Sequence, residues 1–145
     1  MLISSRGRYA LRLLTDMAEH TLEENDNIKL KDVAERQDIS EKYLESIVQS
    51  LVKNDILVGS RGKCGGYRFA KSPSEITAFE VLAMTEGTLA AVSCQKPGSE
   101  NCIRKAECRS TPLWEGLDRL IYDYLSGYTI ADLAVIRDEN GDRMV

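Results

Sequence analysis

The chain has 145 residues, 43% of them hydrophobic and 29% charged, which is enough for one ordinary core and too apolar for a disordered segment. No run of about eighteen apolar residues occurs and "MLISSRGRYALR" has no apolar signal core, so the expectation is a cytoplasmic protein with no membrane partner. A net charge of −4 argues against nucleic acid, but residues 1–71 hold 12 Lys/Arg against 11 Asp/Glu and residues 72–145 hold 7 against 12, so any basic surface belongs to the first half.

In chain order, Tyr9, Ala10, Leu13, Leu14, Met17 and Ala18 share one face of a helix expected over Ser5–His20, and "TLEENDN" breaks it. A short helix follows over Leu30–Arg36, burying Leu30, Val33 and Ala34. "RQDIS" is then a tight turn ending in Ser40, a good N-cap. The helix it opens runs to Lys53, with Leu44, Ile47, Val48, Leu51 and Val52 as its apolar stripe. Glu41, Lys42, Glu45, Ser46 and Gln49 are left for solvent or a partner. The period then drops to two: "ILVGS" and "GYRFAK" read as strands around the glycine-rich tip "RGKCGG".

Two helices joined by a short turn and followed by a hairpin describe a winged helix-turn-helix, whose second helix enters a major groove. The expected fold is therefore mainly α with a small β-hairpin wing, and the expected partner is double-stranded DNA. Ser40, Lys42, Tyr43, Glu45, Ser46 and Gln49 are the candidate readers of bases or phosphates, with Arg61 and Lys63 at the wing tip. An acid such as Glu45 facing phosphates is costly unless it accepts a hydrogen bond from cytosine N4. A solvated polar face is the plainer reading of that helix; the cap, the turn and the wing together weigh against it.

"SPSEITAFEVLAMTEG" begins another helix, with Thr77 and Glu80 spaced as a capping box and Gly87 as a stop. Pro112 opens a long amphipathic helix in which Leu113, Leu117, Leu120, Ile121, Tyr124 and Leu125 form an apolar edge, read as a homodimer surface. The expected organisation is a DNA-binding domain over 1–75, a connecting helix and cysteine loop over 76–110, a dimerisation helix and end segment over 111–135, and a charged tail over 136–145.

Three of the four cysteines, Cys94, Cys102 and Cys108, lie within fifteen residues of "CQKPGSENCIRKAEC". In a reducing compartment such a group is more often a metal or redox site than a disulfide frame. Thiolates hold iron–sulfur clusters and also tetrahedral zinc, but neither gap has the two-residue spacing of zinc ribbons. Reactive or idle thiols are the remaining alternative. Arg104, Lys105 and Arg109 could offset a cluster's charge or simply form a solvated loop face. Cys64 in the wing reads as incidental ahead of a redox switch, and His20 as a helix-end cation ahead of a ligand. With a single histidine, no catalytic arrangement is convincing, so no enzyme is expected.

"SSRGRYALRLL", "SEKYLESIVQSLVKNDILVGSRG", "GGYRFAKSPSEITAFEVL", the triple cysteine and "TPLWEGLDRL" resemble the Rrf2 family of bacterial transcription regulators, and the cysteine segment followed by "PLW" resembles its IscR/NsrR-like members. That resemblance implies a homodimer in which a [2Fe-2S] or [4Fe-4S] cluster on Cys94, Cys102 and Cys108 controls DNA binding, and in which Glu45 helps discriminate promoter classes. Two positions depart from the pattern: Thr111 stands where related proteins place a histidine ligand, and Arg8 where others place an acid. The fourth ligand is thus open, with Ser93, Glu107, Ser110 and Asp123 as further candidates. A cluster-free Rrf2 regulator of cysteine metabolism, using thiols or a partner protein, is the second reading. An electron-carrying or cluster-transfer protein is the third, and it leaves the wing unexplained.

Overall fold

The computed structural model describes residues 2–21, 26–99 and 102–135. The expected frayed tail over 136–145 and most of the "TLEENDN" break lie outside the described residues. Helix α1 spans Ser5–His20, α2 Leu30–Gln37 and α3 Glu41–Lys53, followed by strands β1, Leu57–Ser60, and β2, Gly66–Phe69. Helix α4 covers Ala78–Glu86, α5 Thr111–Ser126 and α6 Ile130–Val135.

Each boundary has a local cause. Ser4 and Ser40 cap α1 and α3, their hydroxyls accepting from the amides of Gly7 and Tyr43. Asp38 ends α2 and opens the turn to α3 in the left-handed region at φ 53°, a conformation Asp tolerates better than most residues. The strands pair antiparallel in the register Leu57↔Phe69 to Ser60↔Gly66. Ile28 joins the wing from outside through reciprocal backbone bonds with Tyr67, of 2.8 and 2.9 Å. A Cβ on residue 66 would sit 2.5 Å from the Ile28 carbonyl, so this approach requires Gly66.

The core gathers Ala10, Leu13, Leu14 and Met17 of α1 with Leu44, Ile47, Val48 and Leu51 of α3, and it continues through Ile76, Val81 and Ile130. Helix α1 is its axis, packing against α2, α3, α4 and α6. The segment after α5, expected only as an end, returns to that core. Thr77 and Thr129 bridge antiparallel, and the Ile130 amide donates to the Ile76 carbonyl at 2.9 Å.

Two sequence expectations need correction. Val52 is 37% exposed and lies outside the α3 stripe, because it sits about 100° around the helix from Leu51, beyond the arc that the neighbouring elements cover. Thr77 forms only half of a capping box: its hydroxyl accepts from the Glu80 amide, while the Glu80 carboxylate pairs with Lys71 Nζ at 2.6 Å. A complete box occurs one turn earlier, at Ser72 and Glu75.

Candidate nucleic-acid interface and cysteine segment

Helix α3 presents Glu41, Lys42, Glu45 and Gln49 to solvent while Leu44, Ile47, Val48 and Leu51 anchor it. Ser40 is exposed, but its hydroxyl is engaged as the cap. Tyr43 is half-buried, its ring meeting Tyr9 edge-on at 5.7 Å, so part of it is packing rather than free reading surface. Ser46 is half-buried and engaged: its hydroxyl donates to the Tyr43 carbonyl at 2.8 Å, and Arg6 donates to its carbonyl, also at 2.8 Å. Arg61 and Lys63 stand exposed at the wing tip, on the β1–β2 connection.

The geometry of the turn is secured from α1. Asp16 is 1% exposed and accepts from Arg36 Nε and Nη2, the latter at 2.6 Å, and from Gln37 Nε2 at 2.8 Å. Hydrogen bonding to Asp16 raises the Arg36 pKa above its ordinary range. Arg12 donates to the Gln37 side chain and carbonyl and lies 5.3 Å over the Tyr9 ring. These bonds close the end of α2 onto α1 and so fix where α3 starts. Neither Asp16 nor Arg6 was legible as important, since each reads as one more charged helix residue.

The cysteine segment leaves α4 at Gly87 and enters α5 at Thr111. Cys94 sits exposed in a 3-10 turn over Ser93–Gln95, Cys102 is exposed, and Cys108 is half-buried. All are free thiols, as is Cys64 at the wing tip. The Cys108 sulfur lies 3.2 Å from the Ser110 hydroxyl, and that contact, helped by Thr111, lowers its pKa to about 7. Of the suggested fourth ligands, Ser110 thus already faces a cysteine. Arg8 instead donates to Ser5 Oγ at 3.1 Å, and His20 Nδ1 meets the Asp16 carbonyl at 2.8 Å, as a helix-end residue does.

Among the described residues no three His, Cys, Asp or Glu side chains converge closely enough to hold a metal ion. The donor chemistry nonetheless suits an iron–sulfur cluster: three free thiols share one surface segment, and one of them is already biased toward thiolate.

Helix α5 buries none of its residues within the chain. It is held to α4 by Phe79 against Tyr122, with ring centroids 4.7 Å apart, and to the segment by Asp118, which accepts from the Ala91 amide at 2.8 Å. Ile121 faces a cleft of its own chain beside Phe79 and Leu89. Leu113, Leu117, Leu120 and Tyr124 are 63, 38, 67 and 67% exposed. They recur at helical spacing as an outward apolar stripe.

Two helices joined by a left-handed turn, followed by a two-stranded hairpin, define a winged helix-turn-helix protein. Residues 3–135 match the model of the Rrf2 family, described as iron-dependent transcriptional regulators, and the chain belongs to that family of DNA-binding transcription regulators. It is 36% identical to the HTH-type transcriptional regulator IscR of Serratia proteamaculans, over 95% of this chain and 82% of that one. Among solved structures it is similar to CymR of B. subtilis, described as the global cysteine regulator, with 28% identity, a TM-score of 0.75, and coverage of 95% of this chain and 99% of that one. It is also similar to IscR of T. potens, with 28% identity, a TM-score of 0.70, and coverage of 91 and 85%. These relatives are named as regulators rather than enzymes, and among the described residues no helix is long and apolar enough to cross a membrane.

Proposed function

We propose that the chain is a cytoplasmic, homodimeric DNA-binding regulator whose DNA affinity or promoter choice responds to an iron–sulfur cluster held by Cys94, Cys102 and Cys108. In this reading α3 enters a major groove with Lys42, Glu45 and Gln49 toward the bases, while Arg61 and Lys63 meet phosphate. The outward stripe of α5 meets the same stripe on a second copy, since an isologous contact covers both faces at once. The observation that carries the cluster reading is the grouping of three free thiols between α4 and α5, with Cys108 held toward thiolate by Ser110. The likeness to IscR proteins along nearly the whole chain agrees with it.

A bound cluster supplies a labile, redox-responsive centre. The chain's residues supply the thiolates and a segment tied to α5 through Asp118, and a change there shifts DNA binding only as far as the two states differ in their contacts. The second reading, a cluster-free regulator of cysteine metabolism, is favoured by the likeness to CymR, of which this chain covers 99%.

Iron and acid-labile sulfide per chain, measured in protein purified without oxygen beside Cys102→Ala, separate the two. Matched iron and sulfide in the parent and their loss in the variant support the sensor. Iron-free and sulfide-free protein that resists reconstitution supports the cluster-free regulator and reassigns the thiols to redox chemistry or zinc.

A further inference from the structure

The end of α4 and the body of α3 both bond to the first turn of α1. Ser4, the N-cap of α1, donates to Glu86 Oε1 twice, from its amide at 3.1 Å and its hydroxyl at 2.7 Å. Glu86 is the last residue of α4, and the segment carrying the cysteines begins at the next position. This carboxylate reaches the turn because residue 7 is glycine: a Cβ there would fall 2.4 Å from Glu86 Oε1 and 3.0 Å from Leu82 Cδ2.

Two residues beyond Ser4, Arg6 reaches the other way. Its Nη2 donates to the Ser46 carbonyl at 2.8 Å and the Ser50 hydroxyl at 3.0 Å, and its Nη1 to the Ser46 hydroxyl at 3.4 Å. Ser46 and Ser50 lie one turn apart, so a single planar guanidinium spans a turn of α3. These partners are a carbonyl and two hydroxyls, for which the fork geometry matters more than the charge.

We infer that the first turn of α1 is a strut, anchored at Glu86 and applied through Arg6, that sets the position of α3 relative to the start of the cysteine segment. Arg6 is then a positioning residue for sequence reading, and the strut is a bonded route from the end of α4 to the reading helix. This rests on α3 being the reading helix. The strut explains why Ser46 is unavailable as a base reader: it is the seat of Arg6.

The test uses the full chain, the duplex that the wild-type chain selects from a random pool, and an unselected duplex, compared across a salt series. Arg6→Ala is expected to narrow the ratio of selected to unselected affinity by roughly tenfold at unchanged salt slope, and Arg6→Lys to leave it narrowed, because an ammonium cannot reproduce the fork. Glu86→Ala is expected to cause a smaller narrowing that vanishes in the Arg6→Ala background, as for two groups acting in series. Equal loss on both duplexes with a salt slope lower by about one would make Arg6 a phosphate contact and overturn the strut. Full rescue by Arg6→Lys would overturn it too, as would losses at Arg6 and Glu86 that simply add.

Glu45→Ala is the control for the underlying reading. If only Glu45→Ala narrows the ratio, α3 reads DNA and the strut fails. If neither variant does, or if the wild-type chain selects no duplex, both ideas fall. Should Arg6→Ala not fold, Ser50→Ala removes one partner of the fork and is expected to act in the same direction; an unchanged ratio there overturns the strut.

Discussion

Replacing Arg36 by alanine should be among the most damaging single changes outside the apolar core. The Asp16 carboxylate is 1% exposed and takes its hydrogen bonds from Arg36 Nε, Arg36 Nη2 and Gln37 Nε2, with His20 Nδ1 3.6 Å away. Removing Arg36 strips the charged partner and leaves a buried carboxylate with one amide donor, which costs about 3–5 kcal/mol. Asp16→Asn is milder, about 1.5–3 kcal/mol, since Arg36 is a third exposed and can turn to water. A domain of this size has about 5–15 kcal/mol in total, so Arg36→Ala should lower the melting temperature by roughly 6–20 °C. Urea unfolding followed by far-UV circular dichroism reads this as a lower midpoint at unchanged m. The double change Asp16→Leu with Arg36→Met removes both charges and should fall within about 1 kcal/mol of the parent. A loss below about 1 kcal/mol for Arg36→Ala, or a larger loss for Asp16→Asn than for Arg36→Ala, would refute the reasoning.

Other expectations concern DNA, assembly and the thiols. Glu45→Ala should relax discrimination among duplexes more than it lowers total affinity, and competition binding that shows uniform loss at every sequence would remove its reading role. Leu120→Asp places a charge on the 67%-exposed position of the α5 stripe and should shift sedimentation from dimer to monomer while leaving circular dichroism unchanged; a wild-type chain that already sediments as a monomer would contradict the proposed interface. In metal-free protein the Cys108 thiol should alkylate with a midpoint near pH 7, its rate rising with pH as the thiolate fraction grows. Ser110→Ala removes the largest cause of that lowering and should move the midpoint upward, so an unmoved midpoint would show that the hydroxyl is not responsible.

Much of the architecture is legible from residues close together in the chain. The stripe Ala10, Leu13, Leu14, Met17 marks α1, Ser40 marks the start of α3, and the change of period after Lys53 marks the wing, because helix faces, caps and strand alternation are each set within a few residues. The grouping of Cys94, Cys102 and Cys108 is likewise visible as spacing alone. What the chain did by itself determine, then, is which elements form and which residue types each surface can offer.

Only the tertiary structure decided which of the offered side chains remain free. Ser46, polar and on the outer arc of α3, is taken by Arg6 from 40 positions away, and Ser4 by Glu86 from 82 positions away. Asp16 reads as a solvated helix residue until α2 brings Arg36 and Gln37 over it. Ile130 lies in what reads only as an end segment until the chain turns after Gly127 and buries it against α1 and Ile76. Periodicity reports the polarity of a face but not what packs on it, and a hydrogen bond between distant residues depends on how whole elements dock.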